Sequence, residues 1–429
     1  MSFVVKKKEW LFACSKTETL WKRFFLFILL ATLIAPNFPT LIGNEIYINV
    51  AYVIIGIFFL MIRRHPISRG EVLLVIFYFC MQIILLCSWT QDIFYGNARV
   101  SDLGSALRPM LLALTPMTFV YLLYKQGAHP VDFLDIFFKY SLVILSLFFV
   151  VDRMGITDSL KSILWVSDRL MPYDYFLSFF GTTYFAAYFY FMCYLYFLVA
   201  FFHRLRFTDG IFFMMAIVFL VFAQSKTFYF LFIITIPLAW AMRSGVVARI
   251  ILVIVTLASG IVLKIYLNVI VSIFLEGELL GLRSFGRLLN DVEGHGSFSH
   301  RFEQAYNAAV LSIENFGFGV GLGREEMLES YIAAFIYRYG LIGFILYSFF
   351  FIIVAFFSYS NYKLSGVIKD KIIFLFCSIW YTILPIAMLS NPMYEMGKNA
   401  IFSSLVLAAL IYCVGFQRYK NMRFNSIKA

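Results

Sequence analysis

Apolar runs broken by short polar clusters repeat along the whole chain. Stretches suited to crossing a ~30 Å hydrocarbon core fall near Phe24–Ile42, Ile46–Met61, Val72–Trp89, Leu107–Tyr124, Lys139–Val151 and Tyr184–Phe202. Others fall near Ile211–Ala223, Phe228–Ala241, Ile250–Val271, Tyr331–Phe357, Ile372–Leu389 and Ile401–Phe416. The runs at Lys139–Val151 and Ile211–Ala223 are short. A transmembrane barrel would instead show alternating segments of ~10 residues. The pattern predicts an all-α, polytopic helical membrane protein with about 12 transmembrane helices. Residues 1–429 read as one integral membrane domain. Its first 23 residues are broken by charges and lack the pattern of a cleavable signal peptide.

The polar clusters set the orientation. With the N-terminus in the cytoplasm, the inward segments hold Lys6, Lys7, Lys8, Lys16, Lys22, Arg23, Arg63, Arg64, Arg69 and Lys125. They also hold Arg204, Arg206, Arg243, Arg249, Lys363, Lys369, Lys371, Arg418, Lys420, Arg423 and Lys428. Those are 21 of the chain's 35 Lys and Arg residues, and such enrichment marks cytoplasmic loops. Both termini are therefore expected inside. Three outward segments are more than turns: Asp152–Thr183, the compact Gln224–Thr227, and the large polar loop over residues 272–330.

Composition sharpens this reading. Hydrophobic residues make up 62% and charged residues 14%, against about 45–50% and about 25% in soluble domains. The net charge of +11 follows the cytoplasmic loops, so no nucleic-acid partner is expected and the lipid bilayer is. Cys80, Cys87, Cys193, Cys377 and Cys413 fall in apolar spans without metal-site spacing, and read as small buried hydrophobes.

Candidate chemistry concentrates at the outward side. Arg108 opens the fourth span, Lys226 sits in the tight turn before the eighth, and Arg338 lies about two turns into the tenth. A charge at mid-bilayer costs ~2.5–3.5 kcal/mol, so such residues face polar cavities or snorkel to headgroups. Adding Arg283, Arg287 and Arg301 from the large loop makes a shared anionic ligand the economical explanation. Arg283 and Arg287 share one face if their segment is helical, and arginine forks bind phosphate oxygens at any pH. The alternating glycines Gly317, Gly319, Gly321 and Gly323 lack the Lys-Ser/Thr of a phosphate-binding loop. They read as a tight turn that lets backbone approach a ligand or re-enter the membrane.

Acid–base candidates are His295, His300, Glu325, Glu326 and Glu329. Glu329, at the mouth of the tenth span, reads equally as a general base and as a carboxylate favouring the helix N-terminus. His300, beside Arg301, reads equally as its understudy and as a solvent-exposed side chain. No metal ligand set is expected in the outer segments, and no cofactor.

The chain resembles the O-antigen ligase and polymerase superfamily of bacterial envelope glycosyltransferases. The matching residues are His300-Arg301 followed by EQAYNAAVLSIENFGFGVGLG, then Glu329-Ser330-Tyr331, then Tyr339-Gly340-Leu341-Ile342-Gly343. The segment Ala223–Thr227 is similar to the family's Ser-Arg element, with Lys226 in place of Arg. The span pattern covers about the whole chain, the motifs about 60 residues of it. The resemblance implies a metal-independent inverting transferase of the bacterial inner membrane. It would act at the periplasmic face on undecaprenyl-diphosphate-linked oligosaccharide. Ligases of the group carry His where Glu329 stands, which tilts the expectation toward an O-antigen polymerase. Glu329 is then the expected base, with Arg301, Arg287, Arg283, Lys226, Arg108 and Arg338 on the diphosphate. Expected partners include a flippase and a chain-length regulator of the polysaccharide co-polymerase kind. The alternatives are an O-antigen ligase acting on lipid A-core and, from a different class, a flippase or transporter of lipid-linked oligosaccharides.

Overall fold

The computed structural model describes residues 19–36, 46–63, 67–94, 103–127, 129–155, 164–165, 176–244, 297–322, 330–390, 393–395 and 397–428. Among them every regular element is helical. The first is α1, residues 19–34. Then come α2 (Ile46–Ile62), α3 (Arg69–Phe94), α4 (Leu103–Ala106), α5 (Arg108–Gln126) and α6 (Pro130–Arg153). They continue as α7 (Thr183–Arg204), α8 (Phe207–Ala223), α9 (Lys226–Arg243) and α10 (Ser297–Glu314). The last three are α11 (Tyr331–Leu364), α12 (Ile368–Ala387) and α13 (Gly397–Lys428). The expected span at Ile250–Val271 lies outside the described residues.

Six of these helices are long and apolar enough to cross a membrane: α3, α6, α7, α11, α12 and α13. Shorter apolar helices cover Tyr47–Ile62, Phe207–Ala223 and Thr227–Arg243. The run expected to be short at Lys139–Val151 belongs to a 24-residue helix, α6. Its polar first turn, Pro130-Val131-Asp132, hid its true start: Pro130 supplies the preset φ of a first helical residue and the His129 ring accepts the Val131 N–H.

The bundle sorts its faces as a protein in lipid does. Ile76, Phe79, Ile83 and Leu86 on α3 are exposed, as are Ile345, Phe349, Ile352 and Phe356 on α11. Their i, i+3/i+4 spacing makes an apolar stripe on the outside of each helix, the face a membrane helix turns to lipid. The protein is a helical membrane protein. Cys80 and Cys87 are exposed on the outer side of α3, whereas burial was expected. A small thiol is as acceptable to lipid as to a core, so hydropathy does not separate the two. Cys193, Cys377 and Cys413 are buried.

The centre is made by α7, α12 and α13, whose middle turns are almost wholly enclosed. Aromatic rings fill it: Tyr188 meets Trp380 edge-on at 5.0 Å, and Phe189 packs on Phe402 at 4.7 Å. Such pairs add ~0.5–1.5 kcal/mol each beyond simple burial.

Charge separates the two ends. Arg63 forks onto Glu71 at 2.6 and 3.0 Å where α2 meets α3. Lys369 reaches Asp132 at 2.6 Å, and His129 reaches Asp370 at 2.8 Å, where α5–α6 meets α11–α12. Arg204 bonds Asp135, and Lys139 lies 3.5 Å from Asp209, where α7 turns into α8. By chain alternation all of these junctions belong to one end of the bundle. The opposite end, where α3, α6 and α12 finish and α5, α7, α11 and α13 begin, is built differently.

Candidate functional site

At that opposite end a glycine turn docks into a broken helix. In α10 the residues Arg301, Ala305, Ala308 and Ser312 recur at helical spacing along one face, and Ala305 and Ala308 pack on α11 beside Ala333 and Ile336. Beyond α10 the chain turns through Asn315–Leu322. Gly317 and Gly321 take positive φ, 83° and 145°, as expected of a φ-permissive turn.

Helix α11 is interrupted at Gly340, whose φ of 71° and ψ of 179° leave the helical region. The break frees backbone groups, and the glycine turn satisfies them. The Leu341 N–H donates to Ser312 Oγ at 2.9 Å, and the Ile342 N–H to the Gly317 carbonyl at 3.3 Å. In return the Val320 N–H donates to the Tyr337 carbonyl at 2.9 Å. A Cβ on Gly340 would overlap the Gly317 carbonyl, and one on Gly319 would overlap the Arg338 carbonyl. Both positions therefore require glycine. The turn is also tied to α3: Gln91 donates to Asn315 Oδ1, and Asn315 Nδ2 to the Gly319 carbonyl, both at 2.6 Å.

Arg338 is the last residue but one before the break. Its Nε donates to the Leu322 carbonyl at 3.2 Å, and Arg108, at the first turn of α5, is near enough for its charge to act on Arg338. Arg338 Nη1, Arg108 Nε and Arg108 Nη1 are buried without a hydrogen-bond partner among the described residues. An unmade hydrogen bond at a buried group costs about 1–3 kcal/mol, more for a charged one. Two cations near each other, with no ion pair to either among the described residues, present donors suited to an anion.

An acid that acts electrostatically on Arg338 is Glu395, in the one-turn helix Met393–Glu395 between α12 and α13. It is fully buried. Its Oε1 accepts from Tyr339 at 2.8 Å and from Tyr347 at 2.6 Å, and its Oε2 has no partner among the described residues. The next residue back, Tyr394, shares a 2.9 Å hydrogen bond with Tyr78 of α3. Burial pushes the Tyr394 hydroxyl up to about 12, so it stays protonated at neutral pH and keeps that bond. Lys398, also buried, donates to the carbonyls of Leu33 and Phe179 at 3.1 and 2.6 Å.

The sequence-derived candidates fare unequally. Arg108 and Arg338 come together. Arg301 is half-buried on the α10 face that packs toward α11. Lys226 opens α9 directly after the Gln224–Ser225 turn, as expected, although its side chain is not described. His300 is exposed and lies 3.2 Å from Gln304 along the same helix. Glu329, Arg283, Arg287, His295, Glu325 and Glu326 lie outside the described residues, as does most of the 272–330 loop. The N-cap of α11 is Ser330, whose Oγ accepts the Ala333 N–H at 3.0 Å.

Glu395 and its tyrosines were not among the expected residues. A lone carboxylate in a short linker between two apolar spans was the available signal, since intramembrane acids are rare. A second grouping escaped for a different reason. His129, Asp370 and Cys413 bring their donor atoms within 4.8 Å of one another, but they are far apart in the chain. The His129 Nδ1 accepts from Val131, which leaves the proton on Nε2 and directs it at Asp370. This is the tautomer of a hydrogen-bonded pair; a metal ligand at Nε2 would need the other.

No protein-family model matches the chain, and neither a curated protein nor a solved structure matches it.

Proposed function

We propose that the protein is a bacterial inner-membrane O-antigen polymerase. In this reading it crosses the membrane about twelve times, keeps both termini in the cytoplasm and presents residues 272–330 to the periplasm. The reading rests on the motif resemblance and on one observation above all: Arg108 and Arg338 hold buried, unpartnered guanidinium nitrogens at the same end of the bundle, near enough for the charge of one to act on the other. Their end of the bundle is the one the Lys/Arg distribution assigns to the periplasm.

The donor is a glycan on undecaprenyl diphosphate, and the acceptor is a sugar hydroxyl at the non-reducing end of a lipid-linked repeat unit. The hydroxyl oxygen attacks the anomeric carbon of the donor. The bond to the diphosphate oxygen breaks, and its electron pair leaves with the lipid diphosphate. The hydroxyl proton passes to a carboxylate, for which Glu329 is the choice. Fixed guanidinium groups stabilise the charge that grows on the leaving oxygen. The exposure of His300 makes it the weaker choice of base.

Deletion of the gene tests this function against its nearest rival. Core lipid capped with a single repeat unit is the outcome expected of a lost polymerase. Naked core would assign the protein as the ligase. Long chains of normal length would reject both.

A further inference from the structure

We propose that Glu395 is the positioning residue of the arginine site: it clamps α11 across its break and so fixes where Arg338 stands. The inference rests on reading Arg108 and Arg338 as the anion site.

The geometry of the break carries it. Gly340 divides α11 into a short piece ending at Tyr339 and a long piece beginning at Leu341. A non-helical residue inside a helix loosens the angle between its halves. Two external devices supply that angle. On one side the glycine turn bonds Tyr337, Leu341 and Ile342. On the other, a single carboxylate oxygen takes the hydroxyls of Tyr339, immediately before the break, and Tyr347, two turns beyond it. Both bonds are short and lie in an enclosed site, where a hydrogen bond is stronger than in water. Arg338 is the chain neighbour of Tyr339, so the ring that Glu395 holds fixes the backbone from which Arg338 projects. The carboxylate belongs to a separate linker that Tyr394 pins to α3 through Tyr78. The clamp therefore references the break to the rest of the bundle. Glu395 makes no ion pair with either arginine among the described residues, and its carboxylate acts on Arg338 only at longer range.

The test uses the full-length protein in nanodiscs, with two readouts. The first needs no ligand. Spin labels on Phe302→Cys of α10 and Phe356→Cys of α11, both exposed positions, report the distance across the break by pulsed electron paramagnetic resonance. The native cysteines are replaced in this background. The second readout is the affinity for farnesyl diphosphate, a short isoprenyl diphosphate, measured per folded protein. Glu395→Ala should broaden the distance distribution and weaken binding about tenfold, the scale of losing a support behind a ligand-holding side chain. Glu395→Gln, which keeps an oxygen acceptor, should restore much of both, and Tyr347→Phe should fall between. If Glu395→Ala fails to fold, the Gln and Phe variants carry the comparison. An unchanged, narrow distribution in the folded variants overturns the clamp. A broadened distribution with unchanged affinity overturns its role in positioning Arg338. Failure of the wild type to bind, or full binding by Arg338→Ala, would instead reject the anion site, while the distance readout still decides the clamp.

Discussion

Arg338 shows what a single side chain can reveal at this end of the bundle. Its Nε is used by the Leu322 carbonyl, while Nη1 is enclosed and without a partner among the described residues. Arg63, by contrast, is bonded to both oxygens of Glu71. Removing a contact to developing charge costs ~10²–10³ in rate. Arg338→Ala and Arg108→Ala should each erase long chains from a gel ladder at wild-type protein level. Arg338→Lys should recover only a fraction, because an ammonium keeps the charge and loses the planar fork. Arg301 is predicted to behave in the same way. A normal ladder from Arg301→Ala at wild-type expression would remove it from the site, since an exposed ion pair is worth only ~0–1 kcal/mol.

The glycine turn and the broken helix form one unit, although the chain presents them as two motifs. Both were legible separately: alternating glycines marked the turn, and Tyr339-Gly340-Leu341-Ile342-Gly343 marked a special stretch of the span. Their docking was not legible, because a backbone carbonyl in contact with a distant glycine leaves no periodicity. The Arg108–Arg338 and His129–Asp370 partnerships were hidden for the same reason, each joining residues more than 200 positions apart. Glu395 escaped because one acid in a short linker forms no spacing motif, and only its rarity between apolar spans marked it.

The unit makes a sharp contrast among glycines. A non-glycine residue in a left-handed conformation costs ~1–3 kcal/mol, and at Gly340 the added Cβ also meets the Gly317 carbonyl. Gly340→Ala should lower thermal stability clearly and abolish polymer. Gly319→Ala, blocked by the Arg338 carbonyl and Ser88 Oγ, should do likewise. Gly366→Ala meets nothing within 4 Å and should stay within about 0.5 kcal/mol of wild type. Melting curves of the three purified variants check this. Equal stability of Gly340→Ala and Gly366→Ala would contradict the docking.

Across the whole molecule, charge is arranged by end. One end pairs its cations with Glu71, Asp132, Asp135, Asp209 and Asp370. The other holds Arg108 and Arg338 without such pairs among the described residues. Helices were readable from hydropathy, since lipid and core both demand apolar side chains. Which apolar face meets lipid was not readable, as Cys80 and Cys87 illustrate. The orientation makes its own prediction. A reporter active only in the periplasm should work when inserted at Asp291 and fail when fused after Ala429. The reverse result would place the arginine site on the cytoplasmic side and reject the proposed substrate. The most direct test of the central claim is transfer by the purified protein in nanodiscs supplied with a lipid-linked repeat unit. The account predicts a ladder of lengthening chains with stoichiometric release of undecaprenyl diphosphate, lost in both Arg108→Ala and Arg338→Ala. A ladder of normal length from both variants would contradict it.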